Sequence, residues 1–336
     1  MAVCGGLAAF AATLLGLAVS AALSPEVADA LTGPRALGLL AGAVVIAAVG
    51  LLDDVVNLRP RHKLVGQAAA ALVVIGPGGC VVARLAAFGY GCDLGWLAVP
   101  ATLLFFLAAI NALNLLDGMD GLLGVVGVVI LGTLAALAVG RGDAFAACVA
   151  LASTGALLGF LVFNLPPATA YLGDCGSLAL GLVVATLAVD TGRRGDAVAP
   201  VGLAALLVLP LLDTTAAIVR RKLTGRGVAE PDRGHFHHGL QRRYSGPWPA
   251  IAAAALLGLI GAAGALAGDD RYALAAVAVV VAVLAATGWF GGVEVRLVGA
   301  KLRALVTLAP PLPVPVPALL KSPPRSRRGA RRVARR

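Results

Sequence analysis

The feature that most constrains this 336-residue chain is a series of unbroken apolar runs, each about 16 to 22 residues long. A helix rises 1.5 Å per residue, so such runs match a hydrocarbon layer about 30 Å thick. Ten can be marked, at about 5–23, 36–52, 64–80, 95–112, 121–139, 144–162, 176–190, 198–219, 249–267 and 271–290. Apolar and polar residues do not alternate within them, which excludes a membrane β-barrel. A water-soluble core could not hide them either. Hydrophobic residues make up 60% of the chain and charged residues 13%, against roughly 25% charged in a soluble domain. The expected fold is all-α, a polytopic membrane helical bundle of about ten transmembrane helices. Gly- and Ala-rich runs suit close helix packing, and no internal repeat is evident.

The loops between the runs fall into two sets. Residues 53–63, 111–120, 164–175, 220–248 and the C-terminal tail carry 21 of the 27 Lys and Arg residues, and the other loops carry six. Basic loops stay on the cytoplasmic side, so the first set is expected to be cytoplasmic, in a multi-pass protein of the cell membrane. Two regions are expected: a transmembrane domain over 1–292 and a cytoplasmic Pro/Arg-rich tail over 293–336. The tail is expected to be disordered. It gives the chain much of its net charge of +10 and reads as a solvated segment near anionic lipid. It has no interleaved aromatic residues and no nucleic-acid motif, so nucleic acid is not expected as a partner.

Five cysteines show neither a CxxC pair nor zinc spacing. Cys80 and Cys92 share one loop, where a disulfide would form if that loop faces an oxidising space. Met1 to Phe10 lacks a basic n-region, so no cleavable signal is expected.

The chemistry-bearing residues gather in the basic loop set. Asp53 and Asp54 follow the end of an apolar run, where the helix dipole disfavours anions. They need compensation, either from the neighbouring Arg59, Arg61 and Lys63 or from a metal. Lys63 also suits phosphate, as a point charge. Next, Asn111, Asn114, Asp117 and Asp120 recur every third position and so share one helix face. Polar groups gathered at the end of an apolar span read as an ion or ligand site. Gly118 and Gly121 let a ligand approach the backbone. Asp120 has a simpler reading as a helix cap.

Asp174, in the run from Phe163-Asn164 to Gly176-Ser177, stands just before a span. It reads either as an N-cap or as a Mg²⁺ ligand beside substrate phosphate. Arg233 precedes a cluster of His235, His237 and His238. Phosphate or sugar contacts suit it better than zinc, since no cysteine and no HExxH stand nearby. Asp213, near the end of the eighth run, is expected to pair with Arg220 or Arg221.

These four signatures stand in one order over about residues 50–240: the Asp-Asp loop with its lysine nine residues on, NxxNxxDGxDGL, FNxxPAxxxxGDxGS, and HxHH. In that combination the chain resembles the polyprenyl-phosphate N-acetylhexosamine-1-phosphate transferases. The resemblance implies transfer of phospho-N-acetylhexosamine from a UDP-sugar to a polyprenyl phosphate, with release of UMP. The segments around Pro210 to Thr214 and Asp232 to Gly234 are similar to the branch that uses N-acetylglucosamine and undecaprenyl or decaprenyl phosphate. The alternative is the phospho-MurNAc-pentapeptide branch. The family pattern also includes a further N-terminal span and a Pro-Arg-x-Gly-Gly-like loop. Only Gly5-Gly6 stands for that loop here, so an upstream start or a missing span is expected.

By residue-for-residue carry-over, Asn114 and Asp174 would face the metal, Mg²⁺ or Mn²⁺. Lys63 would hold phosphate, and Asp53, supported by Asp54, would accept the proton of the lipid phosphate. Asp117 and Asp120 would position nucleotide or metal. His235, His237 and His238 would contact diphosphate or sugar. Asn111, Gly118, Asn164 and Arg233 would bind substrate. Expected partners are UDP-N-acetylhexosamine, polyprenyl phosphate, the lipid bilayer and a second copy of the chain. Two other classes were weighed. A secondary transporter would carry its charges near the bilayer midplane and show repeats. A non-catalytic scaffold would not need all four signatures.

Overall fold

A computed structural model describes residues 4–223 and 246–287. Twelve α-helices are found among them: α1 (Gly5–Leu23), α2 (Pro25–Thr32), α3 (Pro34–Val56), α4 (Pro60–Ile75), α5 (Ala98–Leu116), α6 (Leu122–Gly140), α7 (Ala144–Asn164), α8 (Gly173–Thr191), α9 (Pro200–Leu206), α10 (Val208–Leu223), α11 (Trp248–Leu266) and α12 (Asp270–Ala286). Seven of these are long and apolar enough to cross a membrane: α1, α3, α5 with its preceding 3-10 turn, α6, α7, α8 and α11. The fold is an all-α polytopic bundle.

Among the described residues the structure departs from the expected ten spans at three runs, 64–80, 198–219 and 271–290, the last of which holds the 17-residue α12. The run at 64–80 forms a helix of 16 residues that stops at Ile75. The sequence Gly76-Pro77-Gly78-Gly79 supplies its breakers. The run at 198–219 is two helices, α9 and α10, bent by 85°. Pro210 has no N–H, and its ring excludes the carbonyl of Leu206, so the helix breaks around Leu207. The loop at 24–35 contains α2, started by Ser24, whose Oγ accepts from the Val27 N–H at 3.4 Å.

Helix α8 lies at the centre, with α1, α3, α5 and α6 packed around it. It is apolar on all sides, as a helix enclosed by others should be. Helix α1 is the opposite case, with only 6% of its span buried, and presents an outer face suited to lipid. An apolar cavity of about 320 Å³ lies between α1, α3, α7 and α8, walled by residues such as Phe10, Leu39, Phe145 and Leu180.

One end of the bundle carries a four-stranded sheet among the described residues. Strands β1 (Arg84–Ala87) and β2 (Tyr90–Asp93) pair antiparallel. Phe88 and Gly89 turn between them at φ 52° and 84°, the two positive values a tight hairpin turn requires. Strands β3 (Arg193–Arg194) and β4 (Ala197–Val198) form a second hairpin, and β4 runs parallel to β1. Arg84 bonds Asp196 at 3.1 Å and Arg194 bonds Asp270 at 2.9 Å. Asp270 also accepts from the Phe88 N–H at 2.6 Å. At the same end Arg35 bridges Asp143 and Asp190, at 2.8 and 2.9 Å. Cys80 is buried and Cys92 is exposed on β2, and both thiols are free, so the disulfide does not form. Asp53, Asp54, Asp117, Asp120 and Asp174 lie at the opposite end.

Candidate active site

Helix α3 ends where Asn57 enters the left-handed region at φ 51°, and the Asn57 N–H caps the carbonyl of Asp53 at 2.9 Å. That turn brings the next backbone N–H, of Leu58, within 2.7 Å of Asp53 Oδ1. Pro60 then opens α4 at a position that needs no N–H. Lys63 falls in the first turn and reaches back over the end of α3.

The Lys63 ammonium is the centre of the cluster. It lies 2.9 Å from Asp53 Oδ2 and 2.7 Å from Asp174 Oδ1, and donates to Asn114 Oδ1 at 3.4 Å. Four elements therefore meet at one point: α3, α4, the end of α5 and the start of α8. Arg59 and Arg61 are exposed, so the compensation expected from three basic residues comes to Asp53 through Lys63.

Asp174 is not the N-cap of α8. That position belongs to Leu172, and Asp174 stands in the first turn. The positive end of the helix dipole favours a carboxylate there. Asn114 Nδ2 donates to Asp174 Oδ1 at 2.5 Å and to Ser177 Oγ at 2.8 Å. Asp54 holds the same turn from the other side, accepting from the N–H groups of Asp174 and Cys175 at 2.8 and 3.0 Å.

Asp117 caps α5 and ends its helical path. Burial, with the charges of Asp174 and Asp54 adding to it, pushes its carboxyl up to about 7. Asp120 does not cap α6, whose N-cap is Gly121. Its Oδ2 instead accepts from the Ala168 N–H at 3.1 Å. Asn164 uses both ends of its amide within the protein, accepting from Gly121 N at 3.0 Å and donating to Ala170 O at 2.9 Å. The 117–121 and 164–172 loops are thus tied to each other. Gly118 is exposed at the rim.

Asn111 pairs reciprocally with Gln67. Asn111 Nδ2 donates to Gln67 Oε1 at 2.7 Å, and Gln67 Nε2 donates back at 3.3 Å. Gln67 and Ser177 are both buried; the sequence did not single out Gln67, and Ser177 closes the GDxGS signature without a role of its own. Spacing was the available signal, since Gln67 lies one helical turn after Lys63 and Ser177 one turn after Asp174. Asp213 is buried on α10. Arg233, His235, His237, His238 and the tail from 293 lie outside the described residues.

The oxygens of Asp174 and Asn114 are hard donors of the kind Mg²⁺ or Mn²⁺ takes beside substrate phosphate, though among the described residues no three His, Cys, Asp or Glu are grouped to hold a metal ion and the Lys63 ammonium stands between them. The carboxylates outnumber the single ammonium, so the cluster has room for a further positive charge.

The profile of glycosyl transferase family 4 matches residues 36–192, the stretch that holds every described site residue. The chain is 30% identical over 242 residues to the "Probable undecaprenyl-phosphate N-acetylglucosaminyl 1-phosphate transferase" of Bacillus subtilis (strain 168), covering 70% of this chain and 64% of that protein. It is 35% identical over 255 residues to the phospho-N-acetylmuramoyl-pentapeptide-transferase of Moorella thermoacetica, covering 70% and 74%. It is 34% identical over 225 residues to the protein of the same name from Shouchella clausii, covering 63% and 68%. On these matches and on the four signatures, the chain belongs to glycosyl transferase family 4, among the polyprenyl-phosphate N-acetylhexosamine-1-phosphate transferases.

Proposed function

We propose that the chain transfers N-acetylglucosamine-1-phosphate from UDP-N-acetylglucosamine to undecaprenyl or decaprenyl phosphate and releases UMP. This would be the first membrane step in making a cell-wall or surface polysaccharide. One observation carries the proposal: Lys63, Asp53, Asn114 and Asp174 converge from four helices at one end of an apolar bundle. An acceptor whose tail stays in the bilayer and a nucleotide arriving from water would meet at such an end. The excess of Lys and Arg on these loops favours the cytoplasm as their side.

The lipid phosphate attacks the sugar-bearing phosphorus, and the bond from that phosphorus to the UMP oxygen breaks. Negative charge builds on the transferred phosphoryl group and the leaving UMP, so positioning and neutralisation matter most. Asp174 and Asn114 would hold Mg²⁺, which when bound supplies neutralising charge to the diphosphate. Lys63 turns its ammonium from the carboxylates to phosphate oxygen. Asp53 accepts the proton of any monoprotonated lipid phosphate. The second pKa of a phosphate monoester is about 6, so this step contributes less than it would for an alcohol. Asp54 fixes the first turn of α8, Asp117 stands at the nucleotide side, and Asp120 and Asn164 hold the rim loops. Arg233 and the three histidines are proposed to contact diphosphate or sugar.

The test is UMP release by detergent-purified protein given undecaprenyl phosphate, with either UDP-GlcNAc or UDP-MurNAc-pentapeptide, with and without Mg²⁺. Metal-dependent release with UDP-GlcNAc alone supports the proposal. The similarity to the Moorella protein favours the second reading, transfer of phospho-MurNAc-pentapeptide, and release with that donor alone would select it. Release with neither donor refutes both. Asp53→Asn with wild-type turnover would refute the role given to Asp53.

A further inference from the structure

The direction of each hydrogen bond around Asn114 can be traced from a fixed starting point. The carbonyl of Gly173 can only accept, so Ser177 Oγ–H must donate to it, at 2.9 Å. With its proton used, Ser177 Oγ is left as an acceptor, and it faces Asn114 at 2.8 Å. Asn114 must therefore turn its NH₂ toward Ser177 and toward the acceptor-only carboxylate of Asp174. Its oxygen is then forced to the other side, toward the donor-only ammonium of Lys63. A flipped amide would set oxygen against a carboxylate and NH₂ against an ammonium.

We propose that Ser177 is a positioning residue that fixes the Asn114 carboxamide with its oxygen toward the cation position. The inference rests on the metal reading given above and adds a residue to it. Ser177 is fully buried, and its hydroxyl bonds Gly173 O and Asn114 Nδ2. Its bond to Gly173 O adds to the ordinary helix bond between the same two residues, so losing the hydroxyl leaves α8 intact. What is lost is one of the two acceptors, the other being Asp174, that orient the amide. Groups that orient metal ligands in this way typically change affinity by about 10- to 100-fold when removed.

The experiment is Mn²⁺ binding to the purified full chain without substrates, followed by the electron paramagnetic resonance signal of free Mn²⁺. Ser177→Ala is expected to weaken binding about tenfold or more, and Ser177→Thr, which keeps the hydroxyl, to restore most of it. The decisive comparison is made in an Asn114→Asp background. A carboxylate presents two equivalent oxygens and needs no orientation, so Ser177→Ala should change Mn²⁺ binding there by less than about twofold. Equal losses in both backgrounds, or no loss with Asn114 in place, would overturn the proposal. Asp174→Asn separates the two levels of the argument. If it weakens Mn²⁺ binding and Ser177→Ala does not, only the role of Ser177 fails. If wild-type protein binds no better than Asp174→Asn, the metal reading fails and the inference falls with it.

Discussion

Asp54 ends one membrane helix and Asp174 begins another, and the side chain of the first closes the backbone of the second at 2.8 Å. The same Asp54 carboxylate takes the Cys175 N–H at 3.0 Å. Two of the N–H groups that a helix start leaves without partners are therefore satisfied from α3. Removing such a cap costs about 1–2 kcal/mol. Asp54→Ala should lower stability in detergent by about that much, and Asp54→Asn, which keeps one acceptor oxygen, by less. Both should reduce turnover, since Asp174 rides on this turn. Chemical denaturation beside the UMP assay checks this, and equal stability of Asp54→Ala and wild type would remove the cap from the argument.

The same junction requires Gly50. A Cβ there would stand 2.5 Å from Asp174 O and from the Cα of Cys175, both backbone atoms. Gly50→Ala should force α3 and α8 apart at a cost of about 1–3 kcal/mol, with a matching loss of activity. Gly132→Ala is the contrast, since nothing lies within 4 Å of its would-be Cβ on α6. It should be neutral, or stabilising by up to about 1 kcal/mol. Thermal unfolding of the pair would reveal the difference.

Asp117 predicts a dependence on pH. Its carboxyl is raised from the ordinary 3.8 to about 7 by burial and by the charges of Asp174 and Asp54. The folded protein therefore keeps a proton that the unfolded chain releases. Stability from this group is full below about pH 4, falls as pH rises toward 7, and is level above. Asp117→Asn should raise the melting temperature of metal-free protein more at pH 8 than at pH 4, while lowering turnover. An equal shift at both pH values would show that the burial argument is wrong.

Gln67 and Asn111 tie α4 to α5 one turn from Lys63 and Asn114. Gln67→Leu leaves the Asn111 amide short of a partner in an apolar setting, at a cost of about 1–3 kcal/mol. Changing both residues to Leu should recover most of that stability without restoring activity. A double-mutant cycle of unfolding free energies measures the coupling, and additive effects would count against a clamp.

Part of the site was legible along the chain. Asp53 with Asp54, the NxxNxxDGxDGL run and the Gly173-Asp174 pair all stand out as polar groups interrupting apolar runs, and the structure joins three of these segments at Lys63. Gln67 was not legible, because one amide in an apolar helix often faces only its own backbone, and Ser177 stood in the GDxGS signature with nothing to show its partner. The three-residue spacing placed Asn111, Asn114 and Asp117 on one face, yet Asn111 turns to Gln67 while Asn114 turns to Asp174. A three-residue step leaves successive side chains about 60° apart around the helix, enough to hand them to different neighbours.

The sequence by itself determined the membrane-crossing helical bundle, because runs of that length and apolarity have no stable alternative in water or lipid. It also determined that the loops bearing Asp53, Asp117 and Asp174 share one side, since alternating runs send successive loops to opposite faces. Tertiary structure alone decided which carboxylate does what. Asp53 and Asp54 are neighbours of the same type, but successive residues on a helix point about 100° apart. One therefore meets the Lys63 ammonium, and the other closes the start of α8. The break at Leu207 and the sheet that joins β1 to β4 belong to the same class, because each depends on what packs beside the segment.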